Sequence, residues 1–130
     1  MTIFFDASAA VSYFDVKDVN HAQALSLSSH FGENKIIISN YVFAEIVTIV
    51  SQNAGKDAAI DAGNYIRNNF SIIRISPEAE NLAWEIFKKQ TSKNVSFVDC
   101  TTFALYQKGV FDKAFTFDKD FKINKVPVLE

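Results

Sequence analysis

Cysteine, proline and glycine are scarce in this chain of 130 residues, which holds one, two and four of them respectively. A lone cysteine, Cys100, leaves no partner for an intramolecular disulfide and fits a reducing, cytoplasmic setting. With so little Gly and Pro there is no linker-like stretch, and no repeat or low-complexity tract interrupts the chain. Residues 1–130 therefore read as one domain. A phosphate-cradling Gly-rich loop is missing, which disfavours a nucleotide cofactor. No apolar run approaches the roughly 18 to 20 residues that a bilayer span needs, so no membrane segment is expected. The first apolar stretch has no basic region before it and meets Asp6 at once, so no secretion signal is expected either.

A strong charge of one sign is also lacking, since the net is −2, but its distribution is uneven. Residues 1–87 hold five Lys or Arg against ten Asp or Glu, whereas residues 88–125 hold eight Lys against four Asp. A lysine-rich last third can attract a polyanion. Because these lysines are scattered, charge alone favours an ordinary solvated surface.

What the chain has in abundance is apolar bulk: 48% of residues are hydrophobic and 13 are Phe, too many for a disordered chain. A chain of this size buries roughly two-thirds of its unfolded surface, enough for a core without staples. Short runs at 3–5, 35–38, 71–75, 114–117 and 126–129 read as strands, apolar on both faces as strands covered by helices on each side must be. Helical patterns lie between them at 8–14, 18–31, 40–54, 56–70, 78–91 and 97–109. Ser76-Pro77-Glu78 is a helix start, Ser39 or Asn40 can cap the helix at 40, Ser96 the one at 97, and Gly109 can end it. Alternation of this kind predicts an α/β fold, with a central parallel sheet of about five strands and helices on both faces. Ligands of such sheets sit beyond the carboxyl ends of the strands, at a topological switch point.

Acids interrupt apolar sequence at those places. Asp6 closes the first strand, where a helix cap would explain it equally well. Glu45 is the only charge between Tyr41 and Val50, three residues from Val42 and four from Ile49, so it projects close to an apolar face. An ionised carboxylate there needs a partner, either a cation or a hydrogen-bonding donor, and a structural pair with Lys or Arg is one such arrangement. Asp99 follows Ser96 by three, the spacing of a capping box. Asp118 ends the fourth strand as Asp6 ends the first, and Asp120 follows in the same loop. Four carboxylates about 5 Å apart repel by about 3 kcal/mol per adjacent pair at an effective dielectric near 20. Such a cluster needs protons or a divalent cation, and hard oxygen donors without His or Cys favour Mg²⁺ or Mn²⁺. The chemistry that these ions serve best is phosphodiester transfer. His21 and His30 match no metal-ligand spacing, and Cys100 reads as a core thiol.

The order Phe5-Asp6-Ala7-Ser8, then Glu45 in an apolar helix, then Phe97-Val98-Asp99, then Thr116-Phe117-Asp118-Lys119-Asp120-Phe121 resembles the PIN domain family over essentially the whole chain. At this size the resemblance is to VapC-type toxins of toxin–antitoxin pairs. It implies a metal-dependent endoribonuclease in which Asp6, Glu45, Asp99 and Asp118 form the acidic site for Mg²⁺ or Mn²⁺. Ser8 and Thr116 match polar positions beside the first and last acids, and Asp120 is a possible helper. The resemblance also implies an RNA substrate held in part by the lysines of residues 88–125, a cognate antitoxin protein and a homodimer.

Two other readings compete. A PIN-like module that binds RNA or protein without catalysis has no need of four intact acids. A receiver-like signalling domain shares the alternating architecture but needs an acidic pair at the end of strand one, where Asp6 stands without an acidic neighbour.

Overall fold

The computed structural model describes residues 1–130. Four strands form one parallel sheet: β1 (Thr2–Phe5), β2 (Lys35–Ser39), β3 (Ser71–Ile73) and β4 (Lys113–Phe115), in the order β3-β2-β1-β4. Strand β1 is central, pairing Ile3 with Ile36 on one side and Phe4 with Ala114 on the other. Ile3, Phe4 and Phe5 are consecutive, point to alternate faces, and are all fully buried, so helices cover the sheet on both faces. Phe5 anchors an aromatic cluster, stacked on Phe115 at 5.1 Å and edge-on to Tyr13, Phe31 and Phe70.

Seven helices connect the strands: α1 (Ala7–Phe14), α2 (His21–Leu27), α3 (Asn40–Ala54), α4 (Lys56–Asn69), α5 (Pro77–Lys88), α6 (Phe97–Gln107) and α7 (Asp120–Ile123). Their starts are chemically specified. Ser39, Ser76 and Ser96 each accept a backbone N–H from three residues on, and Pro77 occupies the first turn of α5. Gly55, at φ +93°, lets the chain turn directly from α3 into α4, and Gly109, at φ +77°, follows the end of α6.

The expected α/β architecture is present, with local differences. The helix expected over 18–31 is α2 followed by a 3₁₀ segment, Ser28–Glu33. Its first residues instead form turns, because the Asp15 and Asp18 carboxylates take the N–H groups of Lys17 (2.9 Å) and Asn20 (2.8 Å). Strand β3 stops at Ile73, and the Ile75 N–H donates to the Asn40 side chain (2.9 Å) instead of the sheet. The run 126–129 contributes only an isolated parallel bridge between Ala114 and Val128. Pro127 accepts there from the Ala114 N–H (2.9 Å) but has no N–H of its own to extend a ladder.

Chain order reverses at β1: β2 and β3 are laid down on one side of it and β4 on the other. The crevice between the carboxyl ends of β1 and β4 is therefore the topological switch point, where α/β sheets bind ligands.

Candidate active site

A cleft of about 590 Å³ opens at that switch point. Asp6, Glu45, Asp99 and Asp118 all line it, so one pocket gathers acids from β1, α3, α6 and the loop after β4.

Asp6 follows β1 directly and is only 4% exposed. Its Oδ2 accepts from Thr116 Oγ1 (2.8 Å), Ser8 Oγ (2.9 Å) and the Ser8 N–H (3.4 Å), the last being the N-cap bond of α1. Oδ1 takes none of these bonds. No fully buried side-chain oxygen lacks a partner, so Oδ1 is the atom that meets solvent in the cleft. Ser8 Oγ also accepts the Phe117 N–H and Thr116 Oγ1 the Asp118 N–H, both at 3.0 Å. The two hydroxyls thus join the start of α1 to the loop after β4 and hold Asp118 beside Asp6.

Glu45 flanks the buried stripe Val42, Ile46 and Val50 of α3 and is half-buried. Desolvation, then repulsion from Asp6 and Asp99, pushes its pKa up to about 7. Asp99 is both cap and cleft acid: Oδ2 accepts the Ser96 N–H (3.0 Å) while Ser96 Oγ accepts the Asp99 N–H (3.0 Å). Burial raises the Asp99 pKa to about 6 despite those bonds, with Asp6 and Asp118 adding repulsion. Burial likewise raises Asp6 against the pull of the Thr116 and Ser8 hydroxyls and the Ala7 and Ser8 N–H groups.

No cation of the protein answers these charges. The three ion pairs are Lys88–Glu85, Lys108–Glu78 and Lys122–Glu130, and the cleft lining contains neither Lys nor Arg. The alternative of a structural Glu45 paired with Lys or Arg is therefore not realised. The side chains are not closed into a finished coordination sphere, since no three acidic, His or Cys groups are disposed to hold an ion by themselves. They fit a hydrated divalent cation, which takes one or two carboxylates and completes its shell with water and substrate oxygens. Such an ion would meet only oxygen donors here, with Asp6 Oδ1 already aimed and its other oxygen occupied.

Thr116, 6% exposed, supports Asp6 from behind the cleft and Ser8 lines it. Asp120 does not line it. It begins α7, is 8% exposed, and gives its N–H to Asp118 Oδ1 (2.9 Å). Cys100 is buried, with its thiol pushed up to about 11 by desolvation and by the Asp99 charge, so it offers no thiolate.

Sequence reasoning missed Ser12, Asp18, Asn20 and Asn94, which also line the cleft. Asp18 is fastened by Ser12 Oγ (2.9 Å) and the Asn20 N–H (2.8 Å) at the turn before α2. In sequence it is one polar residue in Asp15-Val16-Lys17-Asp18, and only the packing of α1 against α2 brings it to the site.

The chain is similar in sequence and fold to known proteins. At 28% identity over 120 residues the chain is similar to the 23S rRNA-specific endonuclease VapC20 of Mycobacterium tuberculosis, covering 92% of this chain and 91% of the relative. The crystal structure of that organism's VapC20, described as a sarcin-ricin loop cleaving toxin, superposes with a TM-score of 0.84 at 25% identity over 95% of each chain. VapBC2 from Rickettsia felis, solved bound to a DNA fragment from its promoter, has the same fold, with a TM-score of 0.70 at 18% identity over 100% and 98% of the two chains. The PIN domain model matches residues 3–126, from β1 to beyond α7, and the chain belongs to the PIN domain family.

Proposed function

We propose that this protein is an Mg²⁺- or Mn²⁺-dependent endoribonuclease, the toxin of a toxin–antitoxin pair, working as a homodimer and silenced by a cognate antitoxin protein. The observation that carries the nuclease reading is the cleft itself: Asp6, Glu45, Asp99 and Asp118, with Asp18 a fifth carboxylate on its wall, and no cationic side chain among them. The similarity to VapC20 supports a structured ribosomal RNA as substrate.

Asp6, Glu45, Asp99 and Asp118 would hold the ion. When bound, it supplies Lewis acidity, activating water for in-line attack on phosphorus and shielding the charge that develops there. Ser8 and Thr116 fix the Asp6 carboxylate so that Oδ1 presents one lone-pair face to the cleft. Glu45, its pKa raised to about 7 by burial and by Asp6 and Asp99, would ionise as the cation is taken up, while the attacking water gives its proton to solvent and the departing O3′ takes one from it. The P–O3′ bond breaks, leaving a 3′ hydroxyl on one fragment and a 5′ phosphate on the other.

The test is cleavage of end-labelled RNAs, including a sarcin-ricin stem-loop, with Mg²⁺, Mn²⁺ or EDTA. Asp99→Asn, purified in parallel, retains an acceptor for the Ser96 N–H. Discrete, EDTA-sensitive cuts by wild type alone support the reading; equal cutting by both proteins, or none by wild type on any RNA, overturns it.

A further inference from the structure

A second groove, of about 400 Å³, adjoins the acidic cleft, and the two share Phe117 and Asp118 as a common wall. The first holds carboxylates without a cation, whereas the second holds two lysines against two carboxylates, Asp118 on the shared wall and Glu130. Lys119 and Lys122 line the second groove, with Gln23 beside them and Leu27 and Val128 as apolar floor. Lys119 is exposed and forms no ion pair. Lys122 pairs only with Glu130, and both side chains are well over half exposed, so that pair is weak and readily displaced.

An RNA strand entering the acidic cleft is repelled by it except where a metal ion neutralises the charge, so its flanking phosphates need positive charge nearby. Half-buried Phe117 lines both grooves with its ring edge-on to Phe115 (6.0 Å), and unpaired bases stack on aromatic rings at such walls. We propose that the Lys119–Lys122 groove is a subsite for the RNA backbone, taking the phosphates next to the scissile one while Phe117 stacks an unpaired base at the wall. Glu130 competes with phosphate for Lys122. This subsite rests on the nuclease reading for RNA as the ligand and for the position of the scissile phosphate.

Binding of a short fluorescent single-stranded RNA, followed by anisotropy at several salt concentrations, tests it without turnover, in an Asp99→Asn background. Lys119→Ala/Lys122→Ala is expected to weaken binding roughly five- to tenfold and to make the salt slope shallower by about 1.4, at about 0.7 per phosphate contact. Phe117→Ala weakens binding without changing the slope. Glu130→Gln tightens binding, an effect that loss of a merely structural ion pair does not produce. Lys88→Ala/Lys108→Ala removes the same charge from α5 and from the residue after α6. If it costs as much affinity, only net charge matters and the subsite falls. If the metal-loaded wild type never cuts RNA but these binding effects appear, the subsite stands and the nuclease reading falls.

Discussion

Asp6 divides its two oxygens between the protein and the cleft, and that division makes its partners testable. Thr116→Val keeps the shape of the side chain while removing a donor from Oδ2. Loss of such an orienting bond is expected to weaken Mn²⁺ binding about 10- to 100-fold in calorimetric titration, and unchanged affinity would reduce Thr116 to a packing residue. Glu45 and Asp99 yield a prediction with a definite sign. Their pKa values, about 7 and about 6, lie above the ordinary carboxylate values, so the folded protein holds protons that the unfolded chain has released. Their contribution is therefore most favourable below the ordinary range and declines as pH rises through 6 and 7. In EDTA, Glu45→Gln should melt at a higher temperature than wild type at pH 8 and at about the same temperature at pH 5, and with Mg²⁺ supplied it should cut no RNA. A lower Tm for the variant at pH 8 would mean that the charge is answered by something else. These acids were legible because each breaks an apolar run at a strand end or in a buried helix. Asp18, set among other polar residues, carried no such contrast.

At the level of elements, caps mattered more than propensity. Ser39, Ser76 and Ser96 mark the starts of α3, α5 and α6; the last two could be read from the side chain alone, while at α3 the sequence offered Ser39 or Asn40 and the structure has Ser39. The segment 18–31 could not, because its apolar spacing is helical while Asp15 and Asp18 take backbone N–H groups that a helix needs. The strand limits at Ile73 and Pro127 depend on partners distant in sequence, Asn40 and Ala114, which no local pattern announces. Ser96→Ala isolates the role of a cap. It removes one arm of the capping box and should cost about 1 kcal/mol in urea unfolding with an unchanged m-value. Because the same box seats Asp99, the variant should also bind metal more weakly. A stability loss without that second effect would separate the cap from the site.

For the molecule as a whole, the cleft is a destabilising feature that a ligand can relieve. Total stability of a domain is only about 5–15 kcal/mol, so neutralising clustered charge is a large perturbation. Mg²⁺ or Mn²⁺ is expected to raise Tm, and to raise it more at pH 8 than at pH 5, because protons compete for the same oxygens. Thermal melts across that range, with EDTA as reference, check this; a metal effect independent of pH would place the ion elsewhere. The α/β class followed from doubly buried strands, whereas the strand order did not, since nothing local says that β4 joins β1 on the side away from β2. That order ties the beginning of the chain to its last strand, with Asp6 bonded to a hydroxyl 110 residues away. A growing polypeptide thus carries Asp6 and Glu45 long before it has the strand that braces the first, and Asp99 only shortly before. Any product truncated before Lys113 lacks both that strand and Asp118, so the site cannot form until β4 and the loop after it have been made.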